Sequence, residues 1–378
     1  MEDVVKMKDS FGSVYSSKKV FVTGHTGFKG SWICEWLLAL GAKVTGYALP
    51  PDTSPSLFTQ LELGSRLEHI EGDIRHQATF AEAFRRCGPD FVFHLAAQPL
   101  VRESYRIPVE TFDTNVMGTV HLLNILRDYS KRTAVVFVTT DKCYENKEWV
   151  HGYREEDPLG GYDPYSASKG AAEIAINSFR RSFFEEHPVK IASARAGNVV
   201  GGGDWAADRI IPDCVRALQN SKKIAVRNKV ATRPWQHVLE PLSGYLWLGA
   251  SLYNPDLVKG NSASLTSAFN FGPGHESNRT VKDLVVEVMK HWKGDWEDRS
   301  DPKALHEAKL LQLSTDKASA LLGWEPTWNF PQTIEKTIEW YQKVGNEGKR
   351  AQEFTTKHLQ GYTADAEVKN LAWAKKQA

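Results

Sequence analysis

The chain has 378 residues, 41% hydrophobic and 25% charged, with a formal net charge of +1. That length suits a substantial core in one large or two ordinary domains, and the near-neutral balance gives no sign of nucleic acid or an anionic membrane surface as a partner. The four cysteines, Cys34, Cys87, Cys143 and Cys214, are widely spaced and show no Cys/His ligand pattern. A zinc site, any other metal centre or a disulfide framework is therefore not expected, and free thiols fit a reducing cytoplasm. The charged N-terminus has no apolar signal core, and no apolar run reaches the length of a membrane span.

Residues 1 to about 17 read as a polar lead-in, after which strand and helix patterns alternate. Apolar runs at 19–24, 43–49, 66–74, 90–97, 134–141 and 190–200 predict six strands. Between them, 31–41, 80–88, 108–130 and 166–187 carry helical spacing, with 108–130 read as one long helix. Continuous apolar strands alternating with helices predict an α/β fold with a doubly wound parallel sheet covered on both faces. The regular alternation stops after Gly201, where turns, charges and tryptophans mix. The expected division is a nucleotide-binding domain over 18–200, to which later segments return, a smaller C-terminal substrate-binding domain mainly over 201–345, and a polar stretch at 346–378 that is either a helix or a mobile tail.

The first strand runs into "TGHTGFKG", with Gly24, Gly27 and Gly30 three apart at a strand-to-helix junction. Glycines there let the backbone turn tightly and approach a phosphate, and the helix N-terminus offers free N–H groups to a pyrophosphate. An acidic residue usually follows the second strand and takes the adenosine ribose hydroxyls. This chain has "GYALPPDT" instead, with Asp52 further along, and it lacks the arginine that a 2′-phosphate requires. NAD is favoured over NADP, with weak cofactor binding expected.

"YSASK" places Tyr165 and Lys169 four residues apart at the start of a helix pattern, hence on one face. An ammonium beside the phenol is expected to favour phenolate and lower the tyrosine's pKa, making it a proton acceptor for a sugar hydroxyl as hydride leaves.

These motifs together resemble the extended short-chain dehydrogenase/reductase family, the NAD-dependent epimerases and dehydratases, over roughly residues 18–345. The turn resembles the family's TGxxGFxG and the Tyr/Lys pair its YxxxK. The resemblance implies a Rossmann-like fold and a cofactor site of Gly24, Thr26, Gly27, Phe28, Lys29 and Gly30, with Asp73 and Ile74 of "GDIR" at the adenine. Leu95, Ala96, Ala97 and Gln98 of "HLAAQ" would run along the cofactor, with Asn115 of "NVMGT" orienting that loop. Tyr165 and Lys169 would reach the nicotinamide ribose, and Thr140 would complete a Thr–Tyr–Lys set. "LGWEPTW" (322–328) resembles the C-terminal signature of nucleotide-sugar modifying members. Handles for the sugar and diphosphate would be Gln98, Asn198, Arg209, Arg233 and Arg279; arginine suits phosphate oxygens because its fork binds two at once. The glycines at 201–203, 272 and 274 read equally as plain loop turns.

Epimerases of this family usually carry small, non-ionisable residues after the Ser/Thr, whereas 4,6-dehydratases carry Thr-Asp-Glu. Here the stretch is Thr140-Asp141-Lys142, with lysine where the glutamate stands. The resemblance implies elimination of water from a nucleotide sugar, expected to be CDP-glucose, as a step of dideoxysugar and O-antigen biosynthesis. The implied steps are C4 oxidation with Tyr165 taking the hydroxyl proton, loss of water across C5 and C6, and hydride return to C6. Lys142 is either the C5 base or a cation that stabilises the enolate. The competing readings are an epimerase, a dehydratase of another nucleotide sugar, and a non-catalytic dinucleotide-binding regulator on the same fold. A homodimer is implied through the helices 108–130 and 166–187, where Leu122, Ile125, Ile174 and Phe179 face either core or partner.

Overall fold

In the computed structural model, which describes residues 7–258, 262–300, 310–345 and 348–375, seven parallel strands form the centre. They are β1 (Lys19–Thr23), β2 (Lys43–Ala48), β3 (Glu68–Glu71), β4 (Phe91–His94), β5 (Thr133–Val138), β6 (Val189–Ala196) and β7 (Ala268–Phe271). Their order is β7-β6-β5-β4-β1-β2-β3. β1 and β4 are buried on both faces, which explains their unbroken apolar sequences. Strand order reverses between β1 and β4, and a crevice for ligand lies beyond the carboxyl ends of the strands at such a reversal.

The longer helices are α1 (Phe28–Ala39), α2 (Gln77–Cys87), α3 (Gly118–Arg127), α4 (Pro164–Phe183), α5 (Ile210–Gln219), α6 (Leu239–Tyr253), α7 (Val281–His291), α8 (Phe330–Val344) and α9 (Ala351–Val368), of which α1 to α4 and α6 flank the sheet. Side chains alternate along β1: Val20 and Val22 join the core under α1 and α6, while Phe21 joins the core under α2, α3 and α4.

The helix read over 108–130 runs unbroken from Pro108 to Arg127 and ends in α3, with Asp113–Met117 wound as a π-turn within it; other expectations change. The π-turn carries Asn115, whose side chain bonds to two other elements; π-turns of this kind recur where a side chain must be re-aimed. Leu122 and Ile125 are core residues and Phe179 packs against the same core, whereas Ile174 is 59% exposed.

The N-terminal lead-in is an anchor. Residues 1–6 lie outside the described residues, but Met7, Phe11 and Tyr15 are buried, and Tyr15 Oη donates to the Leu246 carbonyl at 2.5 Å. The stretch after 346 contains α9, which packs on α1 and buries Phe354, Leu359 and Tyr362. Phe11 stacks on Trp373 at 5.0 Å and meets Trp36 of α1 edge-on at 5.5 Å, so both chain ends close over α1. Aromatic burial supplies the reason, since large rings carry the greatest apolar area per residue. The chain after residue 200 also returns to the sheet through α6 and β7. The rest makes short pairs, among them Thr232–Pro234 antiparallel to Asn278–Thr280.

Candidate active site

The β1–α1 turn is shaped for a close approach. Gly24 has φ +72°, and a Cβ there would stand 2.7 Å from the Ala96 nitrogen; a Cβ at Gly30 would stand 2.0 Å from the Gly24 carbonyl oxygen. Gly27 caps α1 and brings no side chain of its own to the N–H groups of the first turn. Thr26 Oγ1 donates to the Leu49 carbonyl at 2.8 Å, fixing the turn to the end of β2. His25 packs over Gly46 and meets His69 at 2.7 Å. Lys29 is half-buried in the first turn of α1, its Nζ 5.9 Å from the Tyr245 ring centre. Burial pushes the Lys29 ammonium down to about 8; Arg209, Lys169 and Lys142 act in the same direction, and Asp141 opposes them.

The loop after β4 is held by hydrogen bonds. The Leu95 and Ala96 amides donate to Thr23, through its carbonyl and hydroxyl respectively, and Ala97 follows half-buried. Asn115 Oδ1 accepts from the Gln98 amide at 2.8 Å, and its Nδ2 donates to Ser168 Oγ of α4 at 2.8 Å. The Gln98 side chain is engaged with Leu100 and Thr111. Asp73 accepts three bonds from Arg75, and Ile74 lies against Gly118, where a Cβ would be 2.4 Å from its Cδ1.

At the end of β5, Thr140 starts the short turn Asp141–Cys143. Its Oγ1 accepts from the Lys142 amide at 3.3 Å and donates to Asp141 Oδ1 at 3.0 Å. Lys142 Nζ lies 3.7 Å from Asp141 Oδ1 and 3.5 Å from Asn198 Oδ1. Helix α4 begins at Pro164, with the Asp163 carboxylate accepting from the Ser166 amide at 2.9 Å. Pro at the first position and Asp at the cap are favoured helix starts, and they place Tyr165 and Lys169 on the first two turns. Both are buried, and Thr140 lies close enough to Tyr165 to bear on its ionisation.

The tyrosine's electrostatics differ from expectation. Burial pushes Tyr165 up to about 12; Thr140 and Arg209 pull it down, while Asp141 adds to the rise. Lys169 is itself pushed down to about 8 by burial, against the pull of Glu173 and Cys143. Desolvation disfavours both charged forms, so the protein without ligand holds a neutral phenol there.

Arg209 pairs with Asp204 at 2.9 Å and lies within electrostatic reach of Tyr165 and Asp52. Arg233 and Arg279 are directly opposite each other across the antiparallel pair. Arg279 Nε donates to the Glu276 carbonyl at 2.9 Å. Asn198, Arg209, Lys29 and Lys142 therefore converge with Thr140, Asp141, Tyr165 and Lys169 at the carboxyl end of the sheet, and Arg233 with Arg279 form a separate basic pair.

Sequence reasoning missed three side chains of this region. Tyr245 of α6 is buried, its hydroxyl has no hydrogen-bond partner among the described residues, and its pKa is raised by burial, then by Tyr165 and Asp141. Glu173 and Arg195 form a buried ion pair at 2.8 Å under the Thr140 segment. Glu173 stands four residues after Lys169, a readable helical spacing; Tyr245 and Arg195 sit within apolar stretches that carry no such signal.

A family model described as GDP-mannose 4,6 dehydratase matches residues 21–337. A CDP-glucose 4,6-dehydratase of Salmonella typhimurium is 48% identical over 337 residues, covering 87% of this chain and 91% of the relative. A CDP-paratose 2-epimerase of Salmonella typhi is 23% identical over 86% of this chain and 100% of that protein. Among solved structures, a dTDP-glucose 4,6-dehydratase of Bacillus anthracis in complex with NAD superposes with a TM-score of 0.71 at 23% identity, covering 86% of this chain and 97% of that one. A match over most of the chain, with a relative this similar along nearly its whole length, places the protein in the GDP-mannose 4,6-dehydratase family.

Proposed function

We propose that the chain is an NAD-dependent CDP-glucose 4,6-dehydratase, forming CDP-4-dehydro-6-deoxyglucose and water. The observation that carries this reading is the Thr140-Asp141-Lys142 turn, with Asp141 and Lys142 beside Tyr165 and Asn198, in a chain 48% identical to a protein of that name. The residues fit the cofactor: the glycine cradle would be filled by a Cβ, and Gly27 brings no side chain of its own to the first turn of α1. NAD, when bound, supplies the hydride acceptor for C4 and the donor for C6.

The chain's own groups do the rest. Gly24 to Gly30 would hold the pyrophosphate, and Asp73, Ile74 and the 95–98 loop would line the cofactor. Tyr165, in the phenolate form that the Lys169 charge favours, takes the C4 hydroxyl proton and becomes the neutral phenol as hydride leaves C4. Asp141, as the carboxylic acid, delivers a proton to the leaving C6 hydroxyl, and Lys142, as the neutral amine, takes the C5 proton, which passes back to Asp141 once water has left; a charged Lys142 would instead stabilise the enolate, with C5 deprotonated by another residue or a water. Arg209 and Asn198 hold the sugar side, and Arg233 with Arg279 receive the diphosphate.

The test is mass spectrometry of CDP-glucose after incubation with the protein. Loss of one water is expected, with GDP-mannose, dTDP-glucose and UDP-glucose much slower. Dehydration of one of these instead, or epimerisation without water loss, overturns the reading.

We further propose a homodimer and a cytoplasmic role in supplying a deoxysugar for surface polysaccharide. Exposed Val109, Phe112, Met117, Ile174 and Phe183 lie on two helical segments in mutual contact, which supports a four-helix contact. Four free buried thiols suit a reducing compartment. A monomer mass by light scattering at micromolar concentration would remove the dimer.

A further inference from the structure

Thr140, Asp141 and Lys142 sit on a segment whose two flanking residues are fastened by a single buried ion pair. Glu173 and Arg195 meet at 2.8 Å with side chains 3% and 4% exposed. At the leading edge, Thr139 Oγ1 donates to Glu173 Oε1 at 2.5 Å. At the trailing edge, Arg195 donates to Tyr144 Oη at 2.8 Å, and that hydroxyl donates to Asn270 Oδ1 of β7 at 2.7 Å. Ser193 Oγ completes the second Glu173 oxygen at 2.8 Å. Glu173 lies one turn beyond Lys169 on α4, and Arg195 lies on β6, which leads to Asn198. The pair thus joins the helix bearing Tyr165 and Lys169, the turn bearing Asp141 and Lys142, and the strand leading to Asn198.

A buried ion pair is a poor source of stability, because well-packed apolar side chains of similar volume often do as well. Apolar replacements cannot make directed bonds to Thr139 and Tyr144. We propose that Glu173 and Arg195 are positioning residues that hold the Thr140–Lys142 turn in register with Tyr165 and Lys169, and that the Glu173 carboxylate also keeps Lys169 charged. The inference rests on the dehydratase reading above for its kinetic consequences. Lys169 faces Glu173 on its own helix, Cys143 from the turn, His94 from β4 and Lys29 from α1. Neutralising Glu173 removes the carboxylate that lies one turn from Lys169, so Lys169 loses its proton at lower pH.

The experiment compares Glu173→Gln and Tyr144→Phe with wild type in the full-length protein. Turnover of CDP-glucose is followed against pH, and the Lys169 titration is followed by NMR of 13C-labelled lysine. Glu173→Gln is expected to lower kcat by roughly tenfold to a hundredfold through misplacement, and to move the alkaline limb of kcat about one pH unit toward acid. Tyr144→Phe frees only the trailing edge; it is expected to leave that limb in place and to slow solvent exchange at C5 more than oxidation at C4. A limb and a Lys169 titration unmoved in Glu173→Gln, or wild-type C5 exchange and kcat in Tyr144→Phe, overturns the proposal. If wild type leaves CDP-glucose untouched, the functional reading falls, and the Lys169 titration alone decides the electrostatic part. If Glu173→Gln does not fold, the Tyr144→Phe exchange rate decides the positioning part.

Discussion

Glu173 and Glu240 are both buried carboxylates, on helices that cover opposite faces of the sheet, and their charge states differ. Glu240, in α6, accepts from the Thr327 and Trp328 amides at 2.8 and 2.7 Å and from Tyr362 Oη at 2.7 Å. Burial nevertheless pushes it up to about 7. Glu173 is buried as deeply, but Arg195 at 2.8 Å, with hydrogen bonds from Arg195, Thr139 and Ser193, outweighs the desolvation and holds it below the usual carboxylate range. At Glu240 three hydrogen bonds do not offset the desolvation, whereas at Glu173 hydrogen bonds together with a cation in contact do. The site face is thereby built around fixed charge, and the face closed by the two chain ends around neutral packing.

The largest effect expected within the site is chemical and leaves both faces intact. Tyr165→Phe keeps the ring and removes the phenolic proton acceptor, so turnover should fall by roughly 10²–10⁴-fold. Denaturation midpoints should stay near wild type, since the hydroxyl is needed mainly in the transition state. Near-native turnover would assign the base to another group.

Removing Arg195 attacks the contrast itself. Arg195→Met leaves Glu173 buried without its cation, so it should behave as Glu240 does, with a raised pKa. Breaking such a pair costs about 3–5 kcal/mol, measurable by urea denaturation. The sign follows from linkage. In wild type, the lowered Glu173 contributes stability above its unfolded pKa and loses it as pH falls through its folded value. In Arg195→Met that dependence should reverse, with stability falling as pH rises. A variant whose stability still drops only toward acid would show that Arg195 is not what holds Glu173 ionised.

This contrast also marks what the sequence could show. Strands and helices up to residue 200 follow clear periodicities, and Tyr165, Lys169 and Thr140 are readable from spacing and order. Helix α6, "LEPLSGYLWLGASLY", is buried on all sides from Leu239 to Leu252 and so lacks an amphipathic stripe. β7 is only "AFNF", too short for a pattern to register. Phe11, Trp36, Tyr362 and Trp373 meet from three distant parts of the chain, and only the fold brings them together. Arg195 lies in "KIASARAG", where a charge in an apolar strand has no readable partner until β6 is placed beneath α4. Lowering of the Tyr165 pKa was expected from its neighbour Lys169, but spacing reports proximity and not desolvation, which dominates here.

Glu240 gives the next effect in size, on the other face. Its folded value near 7 stands above the ordinary 4.5. The folded state therefore holds the proton more tightly than the unfolded chain. Its contribution is complete below about 4.5 and is lost as pH rises through about 7. The loss amounts to about 3 kcal/mol at 1.36 kcal/mol per unit. Glu240→Gln stays uncharged and should flatten this part of the stability profile between pH 5 and 8, at some cost from mismatched amide geometry. An unchanged slope in the variant would place the titration elsewhere, and Glu339 and His358 at the α8–α9 contact are then the groups to examine.

The smallest expected effect, and the one that sharpens the comparison most, concerns Lys142. Its ammonium lies 3.7 Å from Asp141 Oδ1 and 3.5 Å from Asn198 Oδ1, with 22% of the side chain exposed. Unlike Arg195, it is held by long contacts at the edge of the cleft, so it is free to move toward substrate. If it acts by charge, arginine should serve in part: Lys142→Arg would lose about tenfold in turnover, since the guanidinium is larger and differently shaped but permanently charged. If it acts as the C5 base, arginine should fail, because a guanidinium does not deprotonate at usable pH, and solvent deuterium would no longer enter C5. The long contacts favour the base role: a cation kept only for its field gains from short, fixed partners, as Arg195 has, whereas a base must release its neighbours to reach a carbon-bound proton. The measurement is deuterium incorporation at C5 alongside turnover in Lys142→Arg and Lys142→Ala. Wild-type values for both in Lys142→Ala would leave the side chain with neither role.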